Sequence, residues 1–257
     1  MCNLYSVTTN VESIRALVRG FRVNEAAIGN MPPQTGVFPD YLAPIVRNFG
    51  DERELTKIRW GMPSSSQALF QSAKRRAEKI EKKQGRELLK DKFAELLKME
   101  PDSGTTNVRN TASKHWQRWL DPQFRCVVPF NSFSEFNKDA GGDIWFAFDD
   151  DRPLAFFAGI WAPQWTSVRK IKEGMVTTDL FAFLTTEPNA EVGPIHPKAM
   201  PVILTTPDEV EIWMTAPWSE AKALQRPLPD GLLRIVSRGV KQDPPESPEP
   251  PLQPGLV

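Results

Sequence analysis

Phe124-Arg-Cys-Val-Val-Pro-Phe-Asn-Ser-Phe-Ser-Glu-Phe-Asn137 is the stretch whose reading decides the fold. Cys126-Val-Val-Pro129 within it has the composition of a strand, and the chain turns β-rich from Phe124 onward. Similar runs follow at Ile144-Trp-Phe-Ala-Phe148, Leu154 to Trp161, Leu180 to Thr185 and Pro201-Val-Ile-Leu204. They are separated by polar turns at hairpin spacing and do not alternate with helices, which predicts a largely antiparallel core in one α+β domain. Strand alternation puts Phe133, Glu135 and Asn137 on one face, with Phe130 and Phe136 on the other.

Upstream the pattern is mixed. Thr9-Asn10 caps a predicted helix with Val11, Ile14, Leu17 and Val18 at helical spacing, ending near Gly20. Residues 28–44, rich in Pro and Gly, read as a loop. Ile45 to Asn48 and Leu55 to Trp60 are strand candidates. Residues 67–99 read as helix broken near Gly85; their Lys74-Arg-Arg76 cluster and alternating charges suit a solvated face, with phosphate contact the lesser reading. A short aromatic helix spans Ser113 to Leu120, and Pro207 opens a late helix with acids in its first turn.

Composition excludes several classes. Lys+Arg and Asp+Glu are both 32 in 257 residues, so any polyanion-binding surface must be made by segregating charge. No apolar run approaches the roughly 20 residues of a membrane helix. Two cysteines without a secretory leader suggest a reducing cytoplasm and a cytoplasmic protein. The folded domain is expected over 1–239. From residue 240 onward the Pro-rich sequence around Asp243-Pro-Pro-Glu-Ser-Pro reads as a disordered tail.

The candidates for chemistry are few. Cys2 becomes the N-terminus if Met1 is removed, and then carries an α-amine and a thiol on adjacent carbons. Such groups titrate near about 8 and 8.5, so both have reactive fractions at neutral pH. The plain alternative is that a cysteine at position 2 is accidental. Glu135 is either a buried carboxylate with a raised pKa, suited to proton transfer, or an exposed glutamate on an edge strand. His196 lies in Gly193-Pro-Ile-His-Pro-Lys-Ala-Met-Pro201, a proline-stiffened loop of the kind that carries function, although a lone loop histidine is commonly structural. His115, on a helix, reads as structural. The Cys and His spacing makes no zinc site, and no dinucleotide, Walker or G-x-S-x-G motif occurs, so neither a metal nor a cofactor is expected.

Together these fragments resemble the SOS response-associated peptidase (SRAP) family of abasic-site processing proteins. Met1-Cys2, Ala43-Pro44, Trp60-Gly61-Met62, Asn107-Val-Arg109, Cys126-Val-Val-Pro129 leading to Phe133-Ser-Glu135-Phe136, and Ile195-His196 leading to Met200-Pro-Val-Ile-Leu204 carry the resemblance. Asn3-Leu4 stands where many members have Gly-Arg, so an arginine that would grip DNA beside the nucleophile is missing. The resemblance implies a barrel-like β core flanked by helices, and an enzyme with autopeptidase and lyase-type activity on abasic sites in single-stranded DNA. It implies that Cys2 crosslinks to the lesion as a thiazolidine and that Glu135 is the acid/base, also needed to remove Met1. His196 would assist sugar ring opening, and Asn107 would position the lesion and the Cys2 backbone. Arg109 would hold a phosphate, Trp60 would wedge against bases, and Thr185 would lie close by. The expected protein is a monomer that associates with the nucleoid on damaged DNA and binds more weakly as salt rises. Two competing readings stand beside this: a thiol peptidase or amidase acting in trans through Cys2, and a non-catalytic single-strand-binding module.

Overall fold

The Phe124–Asn137 stretch, read as one run of alternation, divides at Asn131 between two sheets, and the candidate site residues lie where those sheets meet. The computed structural model describes residues 2–243. Among these the first strands are β1 (Leu4–Val7), β2 (Phe21–Val23), β3 (Gln34–Val37), β4 (Leu42–Phe49), β5 (Glu52–Trp60) and β6 (Asn107–Val108). Then come β7 (Arg125–Phe130), β8 (Ser132–Asn137), β9 (Gly142–Ala147), β10 (Ala155–Val168) and β11 (Met175–Thr186). The last are β12 (Met200–Pro201), β13 (Ile203–Leu204) and β14 (Arg234–Arg238). The helices are α1 (Val11–Leu17), α2 (Glu25–Ile28), α3 (Ser66–Gln84), α4 (Lys90–Lys98), α5 (Lys114–Gln117), α6 (Pro207–Thr215) and α7 (Trp218–Ala221).

Strands β11, β10, β7, β4 and β5 pair antiparallel in that order, and β5 returns to β11 in parallel with Trp60 opposite Phe181. Five strands therefore close into a barrel, which removes exposed edges. The second sheet runs β14-β9-β8-β1-β3, antiparallel throughout. Asn131 joins the sheets: its Oδ1 accepts from the Thr8 and Thr9 amides, and its Nδ2 donates to the Arg152 carbonyl. This is the expected α+β domain with a mostly antiparallel, barrel-like core and flanking helices.

Buried rings fill the space between. Phe130 stacks on Phe157 at 3.8 Å, and Tyr5 meets Trp60, Phe157 and Phe183 edge-on. Such pairs contribute about 0.5–1.5 kcal/mol each beyond area burial. Local signals hold at the periphery. Asn10 caps α1 through the Ser13 amide, and Gly85 ends α3 in the left-handed conformation at φ 68°. Thr206 caps α6 ahead of Pro207.

Two expectations need correction. Residues 28–44 are not all loop: β3 pairs with β1, and β4 begins at Leu42. The folded unit also runs past 239. The Val240 carbonyl accepts from Trp145 Nε1, and the Asp243 amide donates to the Thr35 carbonyl. Buried Asp243 accepts from Ser132 Oγ at 2.5 Å and pairs with Arg152 at 2.6 Å. A side chain at Gly36 would come within 3.1 Å of the Lys241 carbonyl, so glycine there lets this segment close on β3. The rest of the Pro-rich tail lies outside the described residues. Among the described residues no helix is long and apolar enough to cross a membrane.

Candidate active site

Strand β1 brings the N-terminal segment alongside β8. Leu4 lies opposite Ser134, so Cys2, two residues before Leu4, comes level with the end of β8 that carries Glu135. Cys2 is fully buried. Its Sγ–H donates to the Leu4 carbonyl at 3.4 Å, and its own carbonyl accepts from Asn107 Nδ2 at 2.7 Å. Burial, and secondarily the nearby Glu135 carboxylate, push the Cys2 thiol well above the ordinary cysteine range. The resting thiol is therefore protonated.

Asn107 reaches Cys2 because β6 pairs in parallel with β11, Asn107 opposite Phe183. Its Nδ2 also donates to Thr106 Oγ1 at 2.8 Å, and Thr106 Oγ1 donates to Asn3 Oδ1 at 2.9 Å. Asn107 Oδ1 is buried and has no hydrogen-bond partner among the described residues. A buried acceptor left open is costly unless something fills it. The segment before β6 is fixed by Arg169, fully buried, which donates to the Gly61 and Ser103 carbonyls and pairs with Asp40. A side chain at Gly61 or Gly104 would strike that guanidinium at 2.7 or 2.8 Å.

Glu135 resolves as the buried alternative. Strand β8 lies between β1 and β9, not at an edge, and Glu135 is 1% exposed. Burial raises its carboxyl from 4.5 to about 7. His196 Nδ1 stands 3.8 Å from Glu135 Oε2 and donates at 2.8 Å to the Ala199 carbonyl. That bond places the neutral ring's proton on Nδ1 and leaves Nε2 as the acceptor. Burial is also the main cause that lowers the His196 pKa. Both partners are thus pushed toward their uncharged forms: near neutrality the Glu135 carboxyl is balanced between holding and releasing its proton, while burial favours the neutral imidazole.

The His196 loop is tied at both ends. Asn137 Nδ2, on the Glu135 face of β8, donates to the Ile195 carbonyl at 2.8 Å. Arg109 donates to the Thr186 and Lys198 carbonyls at 2.9 and 2.5 Å and pairs with Glu187 at 2.6 Å. The guanidinium expected to hold a phosphate therefore also staples the loop shut. Thr185 is buried on β11, opposite Pro201 and two residues beyond the Asn107 partner Phe183, which puts it between two elements of the site.

Trp60 departs from its expected role as a wedge against bases. It has no exposed surface, stacks with Phe181 and Phe183, and donates Nε1 to the Thr106 carbonyl. Closure of β5 onto β11 turns it into the core. Phe136, next to Glu135 in the chain, is an aromatic residue that is 64% exposed. His115 is structural as expected: Nε2 bonds the Pro63 carbonyl, and the ring packs on Trp116 and Trp119. Sequence reading missed Thr106 altogether and gave Asn137 a face but no role, because both roles depend on non-local pairing. Among the described residues no three of His, Cys, Asp and Glu converge as a metal site.

No curated protein matches the chain. Solved structures do: a Bordetella bronchiseptica protein (21% identity, TM-score 0.57, 91% of this chain and 97% of that one) and a Bacteroides thetaiotaomicron protein (19%, 0.60, 91% and 90%). A phage-related protein from B. bronchiseptica is also similar (16%, 0.56, 91% and 92%). At these identities they show a shared fold. The model of the family described as SOS response associated peptidase (SRAP) matches residues 1–242, so the chain belongs to that family, a membership that supports a function associated with DNA damage.

Proposed function

We propose that this protein crosslinks itself to abasic sites in single-stranded DNA through Cys2, after hydrolysing the Met1–Cys2 peptide bond. The observation that carries the reading is Cys2 fixed by Asn107 beside a carboxyl of pKa about 7. The freed α-amine adds to the C1′ aldehyde of the ring-opened sugar, and loss of water leaves an imine. The Cys2 sulfur then adds to the imine carbon, its proton passes to the nitrogen, and a thiazolidine closes. Aldehyde and aminothiol become ring plus water.

Each proton movement has a group suited to it. Glu135, near half-ionised at pH 7, can take a proton from the amine and return it to the departing hydroxyl. His196 Nε2 can accept from the sugar hydroxyl as the ring opens. The open Oδ1 of Asn107 can receive a donor from the lesion. The high thiol pKa favours this order, amine before sulfur. It argues against a peptidase acting in trans, which needs a ready thiolate. The test is an abasic oligonucleotide on a denaturing gel: a retarded band that disappears in Cys2→Ala supports the reading. Peptide turnover without a band would favour the trans-acting hydrolase, and intact binding without a band would favour the binding module.

A further inference from the structure

The parallel pairing of β6 with β11, Val108 opposite Leu184, sends both strands out of the sheet at the same end. Arg109 follows one strand there and Glu187 follows the other. Gln225 fixes this exit. Its Nε2 donates to the Arg109 and Thr185 carbonyls at 2.8 and 3.0 Å, and its Oε1 accepts from Thr111 Oγ1 at 3.0 Å. Asn107, which holds Cys2, lies two residues before Arg109, about 7 Å along the strand.

The Arg109 guanidinium divides its work between two nitrogens. Both bonds that staple the His196 loop, to the Thr186 and Lys198 carbonyls, come from Nη1. Nη2 pairs with Glu187 Oε1 at 2.6 Å. Glu187 Oε2 accepts from Thr186 Oγ1 at 3.2 Å, and the residue's own amide also donates to the carboxylate. That amide first, then the hydroxyl and the Arg109 charge, hold the Glu187 carboxyl below the usual glutamate range. A backbone amide, a threonine hydroxyl and an arginine converging on one oxyanion are the donors that proteins use for phosphate oxygens. The Arg109 and Glu187 side chains are 40% and 70% exposed, so the pair is open to an incoming strand.

We infer that this is a phosphate seat for the strand carrying the lesion, and that Glu187 is its resident competitor, a specificity-determining carboxylate that a DNA phosphate must displace. Exchange at Nη2 leaves both Nη1 bonds intact, so the His196 loop stays closed while the anion changes. The competitor weakens reversible binding to an undamaged strand, whereas a lesion held covalently through Cys2 is not released by it. Weakening the wrong partner is one route to specificity. The inference rests on the abasic-site reading above, but it can fail separately.

The experiment compares full-length wild type, Glu187→Gln, Arg109→Gln and the double variant. A single-stranded abasic oligonucleotide reads crosslinking, and the undamaged oligonucleotide reads reversible binding over a range of salt. Glu187→Gln is expected to bind both oligonucleotides several-fold more tightly and to steepen the salt slope by about 0.7, the value for one single-strand phosphate contact. In the Arg109→Gln background the same substitution should gain little, since no guanidinium remains to be released. An ion pair that only holds the loop predicts the opposite sign: Glu187→Gln slower to crosslink and no tighter in binding. That result would overturn the inference. An equal gain with and without Arg109 would also overturn it, because the carboxylate would then act only through its charge at a distance. If wild type forms no crosslink, the abasic-site reading fails. The seat is then judged by the undamaged oligonucleotide alone, where an unchanged affinity in Glu187→Gln overturns it.

Discussion

Cys2 and Cys126 are both fully buried free thiols, and burial pushes both above the ordinary cysteine range. Their surroundings differ in kind. Cys126 lies on the barrel strand β7, packed so closely that a side chain at Gly159 would come within 2.7 Å of its sulfur. Its backbone carbonyl accepts from Trp213 Nε1, and the charge acting on its thiol is Arg47, itself paired with Glu54 and Asp179. Cys2 instead meets a carboxyl near pKa 7, a neutral imidazole behind that carboxyl, and an amide with an open oxygen. Burial makes a thiol inert in one place, while in the other the polar neighbours are what the proposed crosslinking requires. On the proposed reading, what separates the two thiols is their neighbours.

The sharpest way to break that comparison is to remove each sulfur. Cys2→Ala is expected to abolish the crosslink. Cys126→Ser should keep it while lowering stability by about 1–3 kcal/mol, since a hydroxyl replaces sulfur in an apolar site. Denaturing gels and urea unfolding read the two effects. A crosslink lost equally in both variants would erase the distinction.

Removing the neighbour comes next. Glu135→Gln should slow crosslinking by roughly 10²–10⁴-fold and flatten the limb of the pH–rate profile near pH 7. The same substitution has a stability signature of defined sign. Below about pH 4.5 the folded and unfolded states both hold the Glu135 proton, and the contribution is full. Between there and about 7 the unfolded state has lost its proton while the folded state keeps it, so stability falls as pH rises. By pH 8 the wild type should have lost roughly 3 kcal/mol that the glutamine variant retains. Parallel unfolding midpoints for the two proteins from pH 4 to 8 would contradict the raised carboxyl.

A smaller effect is expected at Asn107. Asn107→Ala removes the bond to the Cys2 carbonyl and the open Oδ1, and should slow crosslinking by about tenfold, the value of one or two modest hydrogen bonds. An unchanged rate would mean that the Cys2 backbone needs no holding.

Much of this architecture was legible where signals are local. Gly85 marked the break between α3 and α4, Asn10 and Pro207 marked helix starts, and alternation along Phe133–Asn137 put Glu135 and Asn137 on one face. Pairing between distant strands was not legible. Trp60 looks like a strand-end ring beside a glycine turn, and only the β5–β11 closure sends it inward. Arg109 reads as a free cation until the 187–199 loop folds back to present the Lys198 carbonyl. Asp243 sits in a proline-rich sequence that cannot build a core, yet Arg152 and Ser132 provide a buried seat for it. Composition describes what a segment can do alone, and these residues act through partners about 80 to 130 positions away.

The most direct test of the central claim uses the amine, since the thiol alone would serve other chemistries. Protein with a free Cys2 amine and protein carrying an uncleavable extension on that nitrogen are each mixed with a single-stranded abasic oligonucleotide, and the products are weighed by intact mass spectrometry. The account predicts an adduct of protein plus oligonucleotide less one water for the free amine, and none for the blocked chain. An adduct of equal yield from the blocked chain would contradict it.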